Sequence, residues 1–104
     1  MDFKPQPNPT FKTKVTIRAP GEKPQILSCT FRHKRKKEYT DWIDRAKTSG
    51  NDAESLLEVL AGWDYPPGDP SIETINELLE SYPSSGGALF LAYTQELFGV
   101  ERKN

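Results

Sequence analysis

The apolar residues of this chain change their spacing once, after Phe31, and that change restricts the architectures open to it. Before it they alternate: Phe11, Val15 and Ile17 stand among Lys12, Lys14, Thr16 and Arg18, with Thr13 in the apolar phase. A period of two places one set of side chains on one face of an extended strand. A second run, Gln25 to Arg32, is rich in strand formers and has Leu27, Cys29 and Phe31 in phase. Between the runs, Ala19-Pro20-Gly21-Glu22-Lys23-Pro24 supplies turn chemistry, so the two strands form a β-hairpin. A lone hairpin is marginal in water, and its apolar face must rest on the remainder of the chain.

That remainder reads as helix. Tyr39, Trp42, Ile43 and Ala46 make a stripe at i, i+3, i+4 and i+7, predicting a helix over 36–47 with Trp42 in the core. Asn51 or Asp52 caps a second helix over 52–61, whose stripe is Ala53, Leu56, Leu57 and Leu60. Gly62 is expected to end it in the left-handed conformation, with Trp63 buried back on the stripe. The prolines of the loop at 64–70 forbid a continuous helix. Ser71 caps a third helix over 71–82, burying Ile72, Ile75, Leu78, Leu79 and Tyr82 and projecting Glu73, Glu77 and Glu80 outward. Pro83 stops it, Ser84 or Ser85 caps the next, and the fourth helix, over 85–99, is apolar almost all round. The expected class is α+β: an N-terminal β-hairpin (11–32) on a small bundle of about four helices (36–100). These form a single domain over 11–104, preceded by an extended Pro-rich arm at 1–10, where Pro5, Pro7 and Pro9 disfavour helix and central strand. Glu101 to Asn104 is expected to be a frayed tail.

At 104 residues the chain buries enough surface to fold without staples. Cys29 is its only cysteine, which excludes an intrachain disulfide or a cysteine zinc cluster and makes a reducing compartment, the cytoplasm, the expected setting. No apolar run approaches a membrane span, and no signal sequence is expected after Met1. The net charge of −1 conceals a polarity: residues 1–37 hold ten Lys or Arg against Asp2 and Glu22, and residues 38–104 hold four against thirteen Asp or Glu, giving +8 and −9. Such halves attract, within one molecule or between identical copies aligned head to tail.

Candidate chemistry is sparse. The basic patch Arg32, Lys34, Arg35, Lys36 and Lys37 has the charge to engage phosphates, and a small nucleic-acid-binding regulator is the alternative function it suggests. Nucleic acid is not the expected partner, because no stacking aromatics interleave the run and the acidic remainder repels it. His33 has no neighbouring pattern to orient it as a base. Asp64 and Asp69 lack the donor series of a calcium loop, and the glutamates of the third helix read as a solvated face. No catalytic residue, metal or cofactor is expected. The fourth helix is either the central core helix or partly a contact surface for another protein; on the second reading Phe90, Leu97 and Phe98, with Tyr65 of the proline loop beside them, are the candidate protein-binding residues.

The C-terminal part, roughly 38–104, resembles the tail assembly chaperones of long-tailed bacteriophages and prophages. The resemblance rests on Leu56-Leu57-Glu58-Val59-Leu60-Ala61-Gly62-Trp63-Asp64, on Ser71 to Leu79, on Tyr82-Pro83 leading to Ala88-Leu89-Phe90-Leu91-Ala92-Tyr93, and on Lys103-Asn104. It implies a non-catalytic protein that binds the tape measure protein, keeps it soluble and is displaced as tail-tube subunits polymerise. The major tail protein is a further partner, self-association is in keeping with the charge polarity, and no membrane is involved. The implied setting is the host cytoplasm during assembly and not the mature virion. A structural connector of the virion is a third role open to such a chain.

Overall fold

The computed structural model describes residues 2–66 and 68–100, so the tail expected at 101–104 and Pro67 of the loop lie outside the described residues. Strand β1 (Thr10–Ile17) and strand β2 (Gln25–Arg32) form the antiparallel hairpin, paired from Thr10 opposite Arg32 to Ile17 opposite Gln25. Thr13, Val15 and Ile17 of β1 and Leu27, Cys29 and Phe31 of β2 are buried, while Lys12, Lys14, Thr16, Ile26 and Ser28 face solvent. The period of two has thus selected the inner face.

Four helices follow, α1 (Lys36–Ser49), α2 (Asp52–Val59), α3 (Ile72–Ser81) and α4 (Ser85–Leu97), of which α4 packs on β1 and α2 on β2. Gly50 ends α1 at φ 70°, a left-handed position that glycine occupies without steric cost, and Asn51 then caps α2 by accepting the Glu54 backbone N–H at 3.0 Å. Ser71 caps α3 by accepting the Thr74 N–H at 3.1 Å. Ser84 occupies the cap position of α4 but its hydroxyl donates instead to the Arg18 carbonyl (2.7 Å), tying the start of α4 to the end of β1. The Ser85 hydroxyl donates to the Leu78 carbonyl at 3.4 Å and joins α4 to α3.

One expectation is overturned between α2 and α3. The second helix does not continue to Ala61: it stops at Val59, and Leu60–Trp63 forms strand β3 against β2, giving a three-stranded sheet in the order β1-β2-β3. Gly62 is not a left-handed stop; it pairs with Thr30, and Trp63 pairs with Cys29. Between Thr30 and Phe31 the register shifts so that Phe31 pairs with Leu60, leaving Ala61 as an extra residue, a β-bulge. Trp63 is half-buried, not enclosed. Its indole N–H donates to the Gly68 carbonyl (2.7 Å) and its ring meets Tyr65 edge-on at 5.2 Å. The unpaired β2 edge prevailed over local helical spacing, because pairing satisfies backbone groups that the edge would otherwise leave to solvent.

The core runs from the sheet into the bundle as a chain of aromatic rings. Phe31 packs on Tyr93 (5.1 Å), Tyr93 on Trp42 (5.2 Å, edge-on), and Trp42 on Phe90 (5.5 Å, stacked). Buried ring polar groups are satisfied: Tyr93 donates to the Arg32 carbonyl at 2.8 Å and Trp42 to the Ser55 carbonyl at 3.0 Å. Leu56, Val59, Ile75, Leu78 and Leu89 fill the space between the helices.

Candidate functional site

The fourth helix positions its residues in three sectors, set by their angular spacing of about 100°. Ser85, Leu89, Ala92 and Tyr93 point into the core and are buried. Phe90 and Leu97, seven apart, occupy the flank toward α1 and are half-buried, Phe90 against Trp42. Leu91 and Phe98, also seven apart, lie on the outer side and are 57% and 48% exposed. Phe98 sits just past the helix end, edge-on to Tyr39 at 5.0 Å, and the Tyr39 hydroxyl bonds that of Thr94 at 2.8 Å. Tyr39 thereby fixes the place of the exposed ring. The outer sector thus presents Leu91 and Phe98, with half-buried Phe90 and Leu97 on the adjoining flank and Thr94 between them, over a core of aromatic rings.

Of the four protein-binding candidates, the structure places three on these two sectors: Phe90, Leu97 and Phe98. Tyr65 is elsewhere. It lines a cleft between the hairpin turn and α3 together with Ile17, Ile26, Leu78 and Tyr82, and none of Phe90, Leu97 and Phe98 lines that cleft. Leu91 is not among the candidates read from sequence, although its distance of seven from Phe98 and of one from Phe90 is the signal that would include it.

The basic run has its own order. The Arg32 guanidinium donates to the carbonyls of Leu57 (3.2 Å), Glu58 (3.3 Å) and Leu60 (2.9 Å), binding the end of α2 and the start of β3. Lys34 meets Glu58 at 2.7 Å, and Arg45 grips the same carboxylate with two nitrogens at 2.9 and 3.2 Å. The Arg45 bond in particular holds the Glu58 carboxyl down at about 2, with Lys34 adding to it against the opposing effect of burial. Arg35 precedes α1, where its backbone N–H donates to Glu38 at 2.7 Å, and Lys37 pairs with Asp41 at 3.4 Å one turn along. Lys36 opens α1 and is exposed. The His33 N–H donates to the Pro9 carbonyl at 2.8 Å, closing the foot of the hairpin. Arg32 and Lys34 thus stitch strand to helix and Lys37 pairs along α1, while Arg35, Lys36 and Lys37 are exposed.

Reactive groups are few. Cys29 is buried; its thiol lies 3.9 Å from the Leu27 carbonyl and is pushed up to about 12 by burial, with Asp64 adding to the effect. Such a thiol stays protonated at neutral pH and is a poor nucleophile. Among the described residues there is no group of three or more His, Cys, Asp or Glu able to hold a metal ion, and no helix long and apolar enough to cross a membrane. The outer side of α4 exposes the apolar side chains of Leu91 and Phe98.

A family model described as phage tail assembly chaperone matches residues 1–104, the whole chain. No curated protein and no solved structure matches it.

Proposed function

This chain belongs to the phage tail assembly chaperone family, and from that premise we propose that it binds the tape measure protein through Phe90, Leu91, Leu97 and Phe98 and keeps that client soluble until the tail tube closes round it. The observation that carries the reading is the pair Leu91 and Phe98, two large apolar side chains about half exposed on the outer side of α4. A long helical client presents apolar stripes at i, i+3, i+4 and i+7, and a helix laid along α4 would meet partners at matching spacing. An apolar surface of this size, bordered by Gln95 and Glu96, leaves the free chaperone dispersed while still offering adhesion. The setting is the host cytoplasm during assembly, and the role is non-catalytic; the major tail protein is the partner expected to displace the client.

Co-expression with the tape measure protein tests this. The wild type should raise the soluble yield of the client, and Leu91→Asp with Phe98→Asp should abolish the gain while the free variant keeps its circular dichroism and melting transition. A wild type that neither binds nor solubilises the client overturns the reading. A folded double variant that still rescues it places the contact elsewhere.

A further inference from the structure

We propose that the open edge of β1 takes up an extended, acidic segment of another protein as a fourth strand, and that Lys12 and Lys14 select it. This does not rest on α4 as a client surface. The sheet runs in the order β1-β2-β3, so among the described residues no strand lies beyond β1. In an antiparallel pair, alternate residues turn their backbone N–H and C=O toward the partner strand and the residues between turn theirs away. Two observations tell the sets apart. The Ser28 N–H donates to the Asp64 carboxylate at 2.9 Å, and the Ser28 carbonyl accepts the Asp64 N–H at 3.1 Å, both on the β3 side. Ser28 therefore directs neither backbone group at Lys14, its partner in register, and Lys14 turns its own outward. At the foot of the hairpin the His33 N–H donates to the Pro9 carbonyl at 2.8 Å, which gives the same alternation: Thr10, Lys12, Lys14 and Thr16 face the edge.

The edge ends at Arg18, the next residue of that set. Its carbonyl accepts the Ser84 hydroxyl at 2.7 Å, so the start of α4 closes the edge there. Short of that point, Lys12, Lys14 and Thr16 combine exposed side chains with backbone groups turned outward. An edge of this kind holds an added strand by main-chain hydrogen bonds, and the side chains beside it supply the choice of partner. The inner side is apolar. There α4 packs on β1, and half-buried Phe11 stacks on Tyr93 at 5.8 Å. An inward-pointing apolar side chain of the added strand would extend that packing.

Charge selects the occupant. Lys12 and Lys14 stand two apart on the outer face, opposite Thr30 and Ser28, and neither β1 nor β2 contains an acidic residue. Among the described residues neither lysine has an ion pair. A strand laid along the edge sets its own outer side chains about 5 Å from theirs. Acidic residues at alternate positions then pair with both lysines, and the residue between them turns inward. A second copy of β1 is a poor occupant: laid antiparallel about Thr13 it brings Lys12 against Lys14, and like charges directly opposite are destabilising. The lysines that repel a like strand thus favour an acidic one.

Amide hydrogen exchange of the full chain, alone and with a blocked synthetic peptide of alternating glutamate and valine, tests the proposal; a peptide of alternating lysine and valine is the control. In the free chain the amides of Lys12, Lys14 and Thr16 should exchange faster than those of Phe11 and Val15, which bond to β2. The glutamate peptide should slow the first set and leave the second unchanged, and its binding should weaken as salt rises. Lys12→Glu with Lys14→Glu should weaken that binding by at least about tenfold and make the lysine peptide the better ligand. Both side chains are exposed, so the variant should keep the wild-type melting transition. If the reversal unfolds the chain, Lys12→Gln with Lys14→Gln takes its place, and loss of the preference for the glutamate peptide is the expected result. A glutamate peptide that fails to bind, that binds without slowing Lys12, Lys14 and Thr16, or that binds no better than the lysine peptide overturns the proposal. Protection of those amides that rises with the concentration of the chain alone assigns the edge to a second copy and overturns it too.

Discussion

Glu58 is the residue through which the largest number of charged groups act on one another. Its carboxylate holds Lys34 and Arg45, and its own backbone carbonyl accepts from Arg32. The carboxyl is lowered from 4.5 to about 2. A carboxyl lowered on folding stabilises the native state above its unfolded value and loses that contribution as pH falls through the folded one, here from about 4.5 to 2. Because the side chain is 35% exposed, solvent screens the pair, and we expect about 1 kcal/mol rather than the larger figure the shift alone would give. Glu58→Gln should lower stability by that amount at pH 7 and show a shallower loss between pH 4.5 and 2; urea melts at stepped pH check both. The two tryptophans separate similarly. Trp42 is 1% exposed, and Trp42→Ala should cost about 3 to 5 kcal/mol, whereas half-buried Trp63→Ala should cost about half as much.

At the scale of elements, β3 is the piece that the sequence conceals. Leu60 continues the i+3 and i+4 spacing from Leu56 and Leu57, so local pattern assigns it to the helix. Its actual neighbour, Phe31, is distant in sequence. The role of Arg32 is hidden for the same reason, since the carbonyls it binds are 25 to 28 residues away. By contrast the hairpin and the cores of all four helices are legible, because periodicity and caps such as Asn51 and Ser71 are local signals. Of the proposed site, Phe90, Leu97 and Phe98 are candidates by the apolar surface of α4, but the position of Tyr65 away from them is not legible, because nothing local tells which side of the bundle the proline loop approaches. If Arg32 secures the junction of α2 and β3, Arg32→Met should destabilise the fold by about 1 to 3 kcal/mol, the range for losing hydrogen bonds from a charged donor. Hydrogen exchange should quicken first at Leu60 to Trp63; uniform quickening along the chain would assign the arginine a general role instead.

Across the whole molecule, the N-terminal excess of positive charge and the C-terminal excess of negative charge are used partly within the fold, as where Lys34 meets Glu58, and partly left on its surface. The inner face of the sheet is covered by helices, its outer face is mostly polar, and the apolar flank of α4 is held by rings that reach back to Phe31. In the proposed function such a body holds another protein without transforming it. Nuclear magnetic resonance of the isotopically labelled chain, titrated with purified helical segments of the tape measure protein, tests that claim most directly. The account predicts saturable shifts centred on Phe90, Leu91, Leu97 and Phe98, spreading to Tyr39 and absent in Leu91→Asp. Saturable binding that leaves those resonances unmoved, or no binding by any segment of the client, would contradict it.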